Sequence, residues 1–288
     1  MDSVLAVKNL TKQYPNFALQ NVTFAIPEGC VAGFIGLNGQ GKTTTIRSIL
    51  GLCVKDTGTV QILGKDMDQE AKAIKQELGV VFDEGYLYDA LSIQEMKNIV
   101  ARAYPRWEEM RFQDFLKRFG LRKEQKIATL SKGMRMKFAL ALALSHHAKF
   151  LILDEPTSGL DPMVRQQLLA LLREFMQEEG RGVLYSSHIT SDLDQFSDVI
   201  IFIDKGRILL AEEKDILLER HRLVKGDPSC LTDTLRQHFL TLKENDYSFS
   251  GVTTEASLIK EAMPNVLIER INIEQMMLAY VGEEKPYV

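Results

Sequence analysis

Gly36-Leu37-Asn38-Gly39-Gln40-Gly41-Lys42-Thr43 fits the pattern G-x-x-x-x-G-K-[ST], a loop whose backbone N–H groups wrap the phosphates of a nucleotide. Each residue type answers a physical need. The glycines Gly36, Gly39 and Gly41 let the main chain approach an anion without Cβ clashes, and Asn38 lies in the same wrap. Lys42 carries a mobile positive charge toward the terminal phosphates, Thr43 offers a hydroxyl to Mg²⁺, and Thr44 continues into a helix whose positive end faces the anion. The flanks agree. Val31-Ala32-Gly33-Phe34-Ile35 reads as a buried strand entering the loop, and Thr44 to Leu50 as a helix leaving it, with Gly51 as its stop. The alternative, an unliganded glycine turn, leaves the lysine and the strand–loop–helix setting without a reason.

Phe150-Leu151-Ile152-Leu153 is a second apolar run, and it ends in Asp154-Glu155. A central parallel strand delivers carboxylates in this way to the edge of a sheet where ligands bind. Asp154 then serves Mg²⁺ and Glu155 polarises an attacking water. As mere helix caps the pair is poorly placed, because Asp161 followed by Pro162 is the better cap and first turn.

With these two elements on the page, the chain resembles the ATP-binding subunit of an ABC transporter over roughly residues 1–215. Leu130-Ser131-Lys132-Gly133-Met134 is similar to that family's LSGGQ signature, and Ser158-Gly159-Leu160-Asp161 to its D-loop. His188, ending the apolar run Gly182 to Ser187, stands where the family keeps a switch histidine, and Tyr14 where it stacks a ring on adenine. The resemblance implies an α/β P-loop NTPase (RecA-like) core with a mixed sheet, a helical subdomain inserted at about residues 88–148, and ATP with Mg²⁺ as ligands. It implies that Glu155, His188 and Lys42 are catalytic, that Thr43, Asp83 and Asp154 hold the metal, and that Ser131, Gly133 and Asp161 act across a dimer seam. Taken alone, Ser131 reads as an ordinary N-cap, Asp161 as a helix cap, His188 as a satisfied strand-end histidine and Tyr14 as a ring packed on its own strand, with Phe17 as the other stacking candidate.

Two departures stand out. After the strand Leu78 to Phe82 the family has a glutamine, whereas this chain has Asp83 followed by Glu84; the signature has Lys132 for a glycine and Met134 for a glutamine. Asp83 adds negative charge beside a triphosphate, and Lys132 is expected to bring a cation to the partner subunit's site. Gly85-Tyr86-Leu87-Tyr88 reads as an exposed aromatic loop for a permease's coupling helix, or as a turn packed on its own insert.

The 288 residues, 45% of them hydrophobic, suffice for one ATPase domain plus a small addition. A membrane span needs about 20 uninterrupted apolar residues, and Phe138 to Leu144 breaks at His146-His147. The start lacks the basic-then-apolar pattern of a secretion signal. A net charge of −4 gives no reason to expect nucleic acid or lipid binding, and three unclustered cysteines match no zinc spacing. Residues 216–288 read as a small α+β extension with strands near His221 to Lys225, Tyr247 to Val252 and Val266 to Glu269. Helices are expected over Leu231 to Phe239, Glu255 to Ala262 and Ile273 to Tyr280. Regulation, dimerisation, partner binding and shielding of one ATPase edge stay open for this region.

One phosphate loop and one signature per chain imply a second ATPase subunit, a copy or a paralogue. Without a span of its own, the chain is expected to reach the membrane only through a separate permease, at the cytoplasmic face. Export of a drug, peptide or other amphipathic solute is the expected work. The competing classes are a soluble ABC ATPase that moves no solute and a subunit that senses ATP without turnover.

Overall fold

The computed structural model describes residues 3–83 and 86–281. The chain opens with two long strands, β1 (Ser3–Tyr14) and β2 (Phe17–Pro27), followed by β3 (Val31–Ile35) and α1 (Lys42–Ile49). Next come β4 (Thr57–Ile62), β5 (Lys65–Asp66), α2 (Met67–Gln76) and β6 (Leu78–Val81). Helices α3 (Ile93–Ala101), α4 (Glu109–Phe119) and α5 (Lys132–Leu144) lie between β6 and the next strand. Then β7 (Phe150–Asp154), α6 (Pro162–Phe175), β8 (Gly182–Ser187), α7 (Thr190–Phe196), β9 (Val199–Asp204) and β10 (Arg207–Glu213) follow.

Burial explains why these runs took these forms. Strands β3, β7 and β8 are buried at every position, the mark of strands covered on both faces, and they pair in parallel in a six-stranded sheet of order β10-β9-β3-β8-β7-β6. Strand β2 alternates along most of its length, as a strand with one wet face should, and joins the antiparallel sheet β2-β1-β4-β5. One apolar cluster links the two sheets through α1: Leu5, Phe24 and Ile62 from the antiparallel sheet meet Phe34, Ile152 and Leu184 from the parallel one, with Ile46 and Ile49 between. Each such side chain contributes roughly 1.5–3 kcal/mol on burial.

Helix ends follow local chemistry. Ser92 and Glu95 form a reciprocal capping box at α3, and Gly120, in the left-handed region, stops α4. Helix α5 is buried nearly all round from Phe138 to Leu144, which makes it a core helix. No helix among the described residues is long and apolar enough to cross a membrane.

The chain divides into two compact units. One runs to Ile189 and resumes over Phe196–Ala211; the other takes Thr190–Gln195 and the chain from Glu212 onward. The second holds α8 (Lys214–Arg220), β11 (Arg222–Gly226), α9 (Asp233–Arg236), β12 (Thr241–Glu244), β13 (Phe249–Thr253), α10 (Ala256–Ala262), β14 (Leu267–Arg270) and α11 (Ile273–Val281). Its antiparallel sheet, β12-β13-β11-β14, packs a core of its own from Val224, Phe239, Phe249, Ile259 and Val266. The helix expected over Leu231 to Phe239 is confined to Asp233–Arg236, and β12 arises where no strand is expected. Thr232 caps the short helix, and Leu240 already donates its N–H to Val252 of β13, so sheet pairing ends the helical run.

Candidate functional site

Strand register builds the site. Ile35 pairs with Ser187, and Asp154 with Ser186, so β3, β7 and β8 end level with one another. The residues that follow, Gly36, Glu155 and His188, therefore emerge together at the carboxyl edge of the sheet, the usual ligand crevice of such folds.

The phosphate loop turns into α1 two residues earlier than the pattern Thr44 to Leu50 suggests, at Lys42, with Gly41 as its N-cap. Gly41 has φ 111°, and a Cβ there would lie 2.7 Å from the Phe17 ring, so only glycine fits. Phe17 is thereby spent on packing beneath the loop and is withdrawn as a stacking ring; it is half-buried against the core cluster. Thr43 and Thr44 remain half-exposed on the first turn, and Asn38 and Gly39 are exposed.

Lys42 is only 5% exposed. Its ammonium donates to the Gly36 carbonyl at 2.6 Å and lies 3.1 Å from Oε1 of Glu155. The other oxygen of Glu155 meets Nδ1 of His188 at 2.6 Å, and the His188 backbone N–H points to the same oxygen at 3.3 Å. Glu155 is thus shared between a cation and an imidazole, and its own backbone has φ 52°, an uncommon conformation for a side-chain-bearing residue. Next to it, buried Asp154 accepts from Ser186 Oγ at 2.6 Å, while the Glu155 N–H reaches the same Ser186 hydroxyl at 3.0 Å. Ser186 ties the Asp154 carboxylate to the Glu155 backbone, yet it hides inside an apolar strand and no local pattern marks it.

A second unmarked support comes from the tight turn between β9 and β10. The Lys205 N–H donates to Gln40 Oε1 at 2.6 Å, and the Gly206 N–H to the Gln40 carbonyl at 3.0 Å. The turn therefore braces the phosphate loop from a position some 165 residues away in sequence. Gly206 has φ 75°, and a Cβ there would stand 1.9 Å from the Ala18 carbonyl oxygen, so the turn tolerates no side chain.

Tyr14 ends β1 half in solvent. Its hydroxyl lies 2.9 Å from Cys53 Sγ and the Lys12 ammonium sits 5.6 Å from its ring centre. The Cys53 contact first, then partial burial, raises the phenol above its ordinary pKa. The ring is tethered at its hydroxyl rather than packed away on its own strand.

The signature stretch behaves as a helix start. Ser131 Oγ accepts from the Met134 N–H at 3.3 Å, and Gly133 lies against Val164 of α6. Asp161 caps α6, accepting from the N–H groups of Met163 and Val164, with Pro162 in the first turn.

One placement departs from expectation. The sequence groups Asp83 with Thr43 and Asp154 around a metal, and sends Lys132 to a partner's phosphate. In the structure the Lys132 ammonium lies 2.6 Å from Asp83 Oδ1 of the same chain. Opposite charges placed at this distance satisfy each other, although both side chains keep about a third of their surface in solvent. The aromatic loop is also only partly exposed: Tyr88 is in solvent, but Tyr86 is turned in against Phe82, and burial first, with the charge of Asp83, raises its pKa. Glu84 and Gly85 lie outside the described residues.

Three comparisons bear on this arrangement. Residues 19–158 match the ABC transporter family model. A Bacillus subtilis protein named as the uncharacterized ABC transporter ATP-binding protein YhcH is 35% identical over 96% of this chain and 91% of its own length. The bacitracin transport ATP-binding protein BcrA of Bacillus licheniformis is 32% identical over 83% of this chain and 80% of its own. A solved structure of the ATP binding subunit of an ABC transporter superposes with a TM-score of 0.69 at 30% identity, covering 75% of this chain and 92% of that one. A likeness that runs through nearly the full length of both chains, on a sheet that brings a phosphate loop and a carboxylate pair to one edge, is that of kinship: the chain belongs to the ATP-binding proteins of ABC transporters and is an ATPase coupled to transport.

Proposed function

We propose that this chain hydrolyses Mg²⁺-ATP at the seam between two ATPase subunits and so drives a separate membrane permease that exports a peptide, drug or other amphipathic solute. The observation that carries the reading is the convergence of Lys42 and His188 on Glu155 at the mouth of the phosphate loop.

The donor set suits magnesium. Magnesium is usually held by one or two protein oxygens together with substrate phosphates and water. Thr43 and Asp154 are the residues to hold it, both hard oxygen donors, and Asp154 has one oxygen left after Ser186 takes the other. Held there, such an ion would supply positive charge to offset the charge that develops on the phosphates. Asp83 is spoken for by Lys132 and is left out of this set.

The protein's own groups then act in order. An incoming triphosphate competes with Glu155 for Lys42. Once Lys42 turns to the phosphates, Glu155 is released as a carboxylate able to accept a proton from the attacking water. His188 holds Glu155 through Nδ1 and presents its far edge to the terminal phosphate. Tyr14 stacks on the base. Ser131 and Gly133 cover the phosphates bound by the partner subunit, since a serine-capped helix start binds anions with free N–H groups. The BcrA relative, named for bacitracin transport, supports a peptide cargo, and the family supports placement beside a permease at the cytoplasmic face of the membrane.

The test is complementation. Cells deprived of the chain should become sensitive to a peptide antibiotic, with bacitracin as the first probe, and a Glu155→Gln copy should fail to restore resistance. Unchanged sensitivity, together with a chain that never co-fractionates with membranes, overturns the export reading.

A further inference from the structure

Two of the residues that break the family pattern face each other. Val81 of β6 pairs with Leu153 of β7, so the chain leaving β6 emerges at the edge that carries Asp154 and Glu155. Asp83 stands there in place of a neutral glutamine. Lys132 opens α5 in place of a glycine, and its ammonium lies 2.6 Å from Asp83 Oδ1. One helical turn on, Arg135 Nη1 lies 2.5 Å from Asp89 Oδ1, while its Nε reaches the Leu130 carbonyl at 3.4 Å. Positions three apart share a helix face, so the first turn of α5 offers two cations to two carboxylates on one segment. The two pairs flank a cavity of about 400 Å³ that Tyr86 and Leu87 also line. The stem of Lys132 is guided as well: its Cδ passes 3.5 Å from where a Cβ on Gly159 would sit, in the loop before α6.

We propose that Lys132 is a positioning residue for hydrolysis that acts through Asp83, the two forming one neutral unit within a subunit. Lys132 cancels the carboxylate that Asp83 places at the nucleotide edge, and the pair fastens the start of the signature helix to the end of β6. Each departure is costly alone. A lone carboxylate beside three phosphates repels them, and a lone ammonium at a helix N-terminus adds to the positive end of the dipole. Together they restore the net charge of the glutamine and glycine they replace. With Arg135 and Asp89 as a second fastening, the helix start that carries Ser131 and Gly133 is held at both Asp83 and Asp89. The inference rests on the ATPase reading above.

A cycle of four proteins tests it, the natural chain, Asp83→Asn, Lys132→Met and the double variant, with Lys132→Arg as a fifth for control. ATP affinity is measured by titration calorimetry with and without magnesium, alongside kcat, KM and the thermal midpoint. Lys132→Met should weaken ATP binding about tenfold, more so without magnesium, and adding Asp83→Asn should return affinity to within about twofold of the natural chain. Lys132→Arg, which keeps the charge, should bind ATP normally. Affinities that multiply independently across the four proteins, or a Lys132→Met protein that melts normally and binds ATP normally, overturn the proposal. A purely structural role also fails to predict the rescue, because Asp83→Asn does not refill the volume lost from Lys132. If the natural chain itself fails to bind ATP, the ATPase reading falls and this proposal falls with it; independence of the two sites in an active ATPase removes the proposal alone.

Discussion

Replacing Glu155 with glutamine should tighten ATP binding while stopping its hydrolysis. Lys42 Nζ and Glu155 Oε1 are 3.1 Å apart, with the side chains only 5% and 15% exposed. At that separation the gross attraction is about 5 kcal/mol for an effective dielectric near 20. Most of it is offset by desolvation, and a charge-assisted contact of this kind nets roughly 1.5–3 kcal/mol. A triphosphate that needs Lys42 must give back that net amount before it gains its own contacts. Glutamine keeps the shape but removes both the competing charge and the repulsion of phosphate. The expected gain is at least about 1.4 kcal/mol, a Kd about tenfold lower. Loss of the proton acceptor should lower kcat by roughly 10² to 10⁴. The assay is calorimetric titration with Mg²⁺-ATP at protein concentrations too low for dimers, paired with phosphate release under saturating ATP. His188→Ala is the comparison: it removes the imidazole but keeps the Glu155 charge beside Lys42, so it should not tighten ATP binding. An unchanged or weaker affinity in Glu155→Gln would refute the idea that Glu155 holds Lys42 in reserve.

Tyr14→Ala should raise the KM for ATP by about tenfold with little change in kcat, because a base-stacking ring is worth roughly 1–3 kcal/mol, and Tyr14→Phe should keep most of the affinity. Equal KM values for the three proteins would place the base elsewhere. Gly206→Ala forces a Cβ onto the Ala18 carbonyl at a positive φ and should cost more than about 2 kcal/mol, read as a lower urea midpoint with weakened ATP binding through Gln40. His146, buried and stacked 3.7 Å from Tyr104, has its pKa lowered to about 4, first by desolvation. The unfolded chain binds a proton near pH 6.5 that the folded one refuses until about pH 4, so stability present above pH 6.5 should fall across that window by up to roughly 3 kcal/mol. Urea melts at pH 7 and pH 4.5 should show this loss shrinking in His146→Phe, and an equal loss in both proteins would assign the effect to other groups.

The sequence by itself carried everything that depends on neighbours along the chain. The bounds of β3 and β8, the cap and first turn of α6 at Asp161 and Pro162, and the end of α4 at Gly120 are as the residues suggest, because propensity, capping and burial pattern act over a few positions. In the C-terminal unit that logic reached too far over Leu231 to Phe239, where pairing with β13 overrode a weak helical pattern. The convergence at the site belongs to tertiary structure. Parallel register sets Gly36, Glu155 and His188 side by side, Ser186 links the Asp154 carboxylate to the Glu155 backbone from inside an apolar run, and Lys205 and Gly206 brace Gln40 across the fold. Asp83 and Lys132 are each visible as oddities in the sequence, but only folding shows that they neutralise one another. Charge and hydrogen bonding act through space at a few ångströms, and distance along the chain says nothing about which groups will meet there.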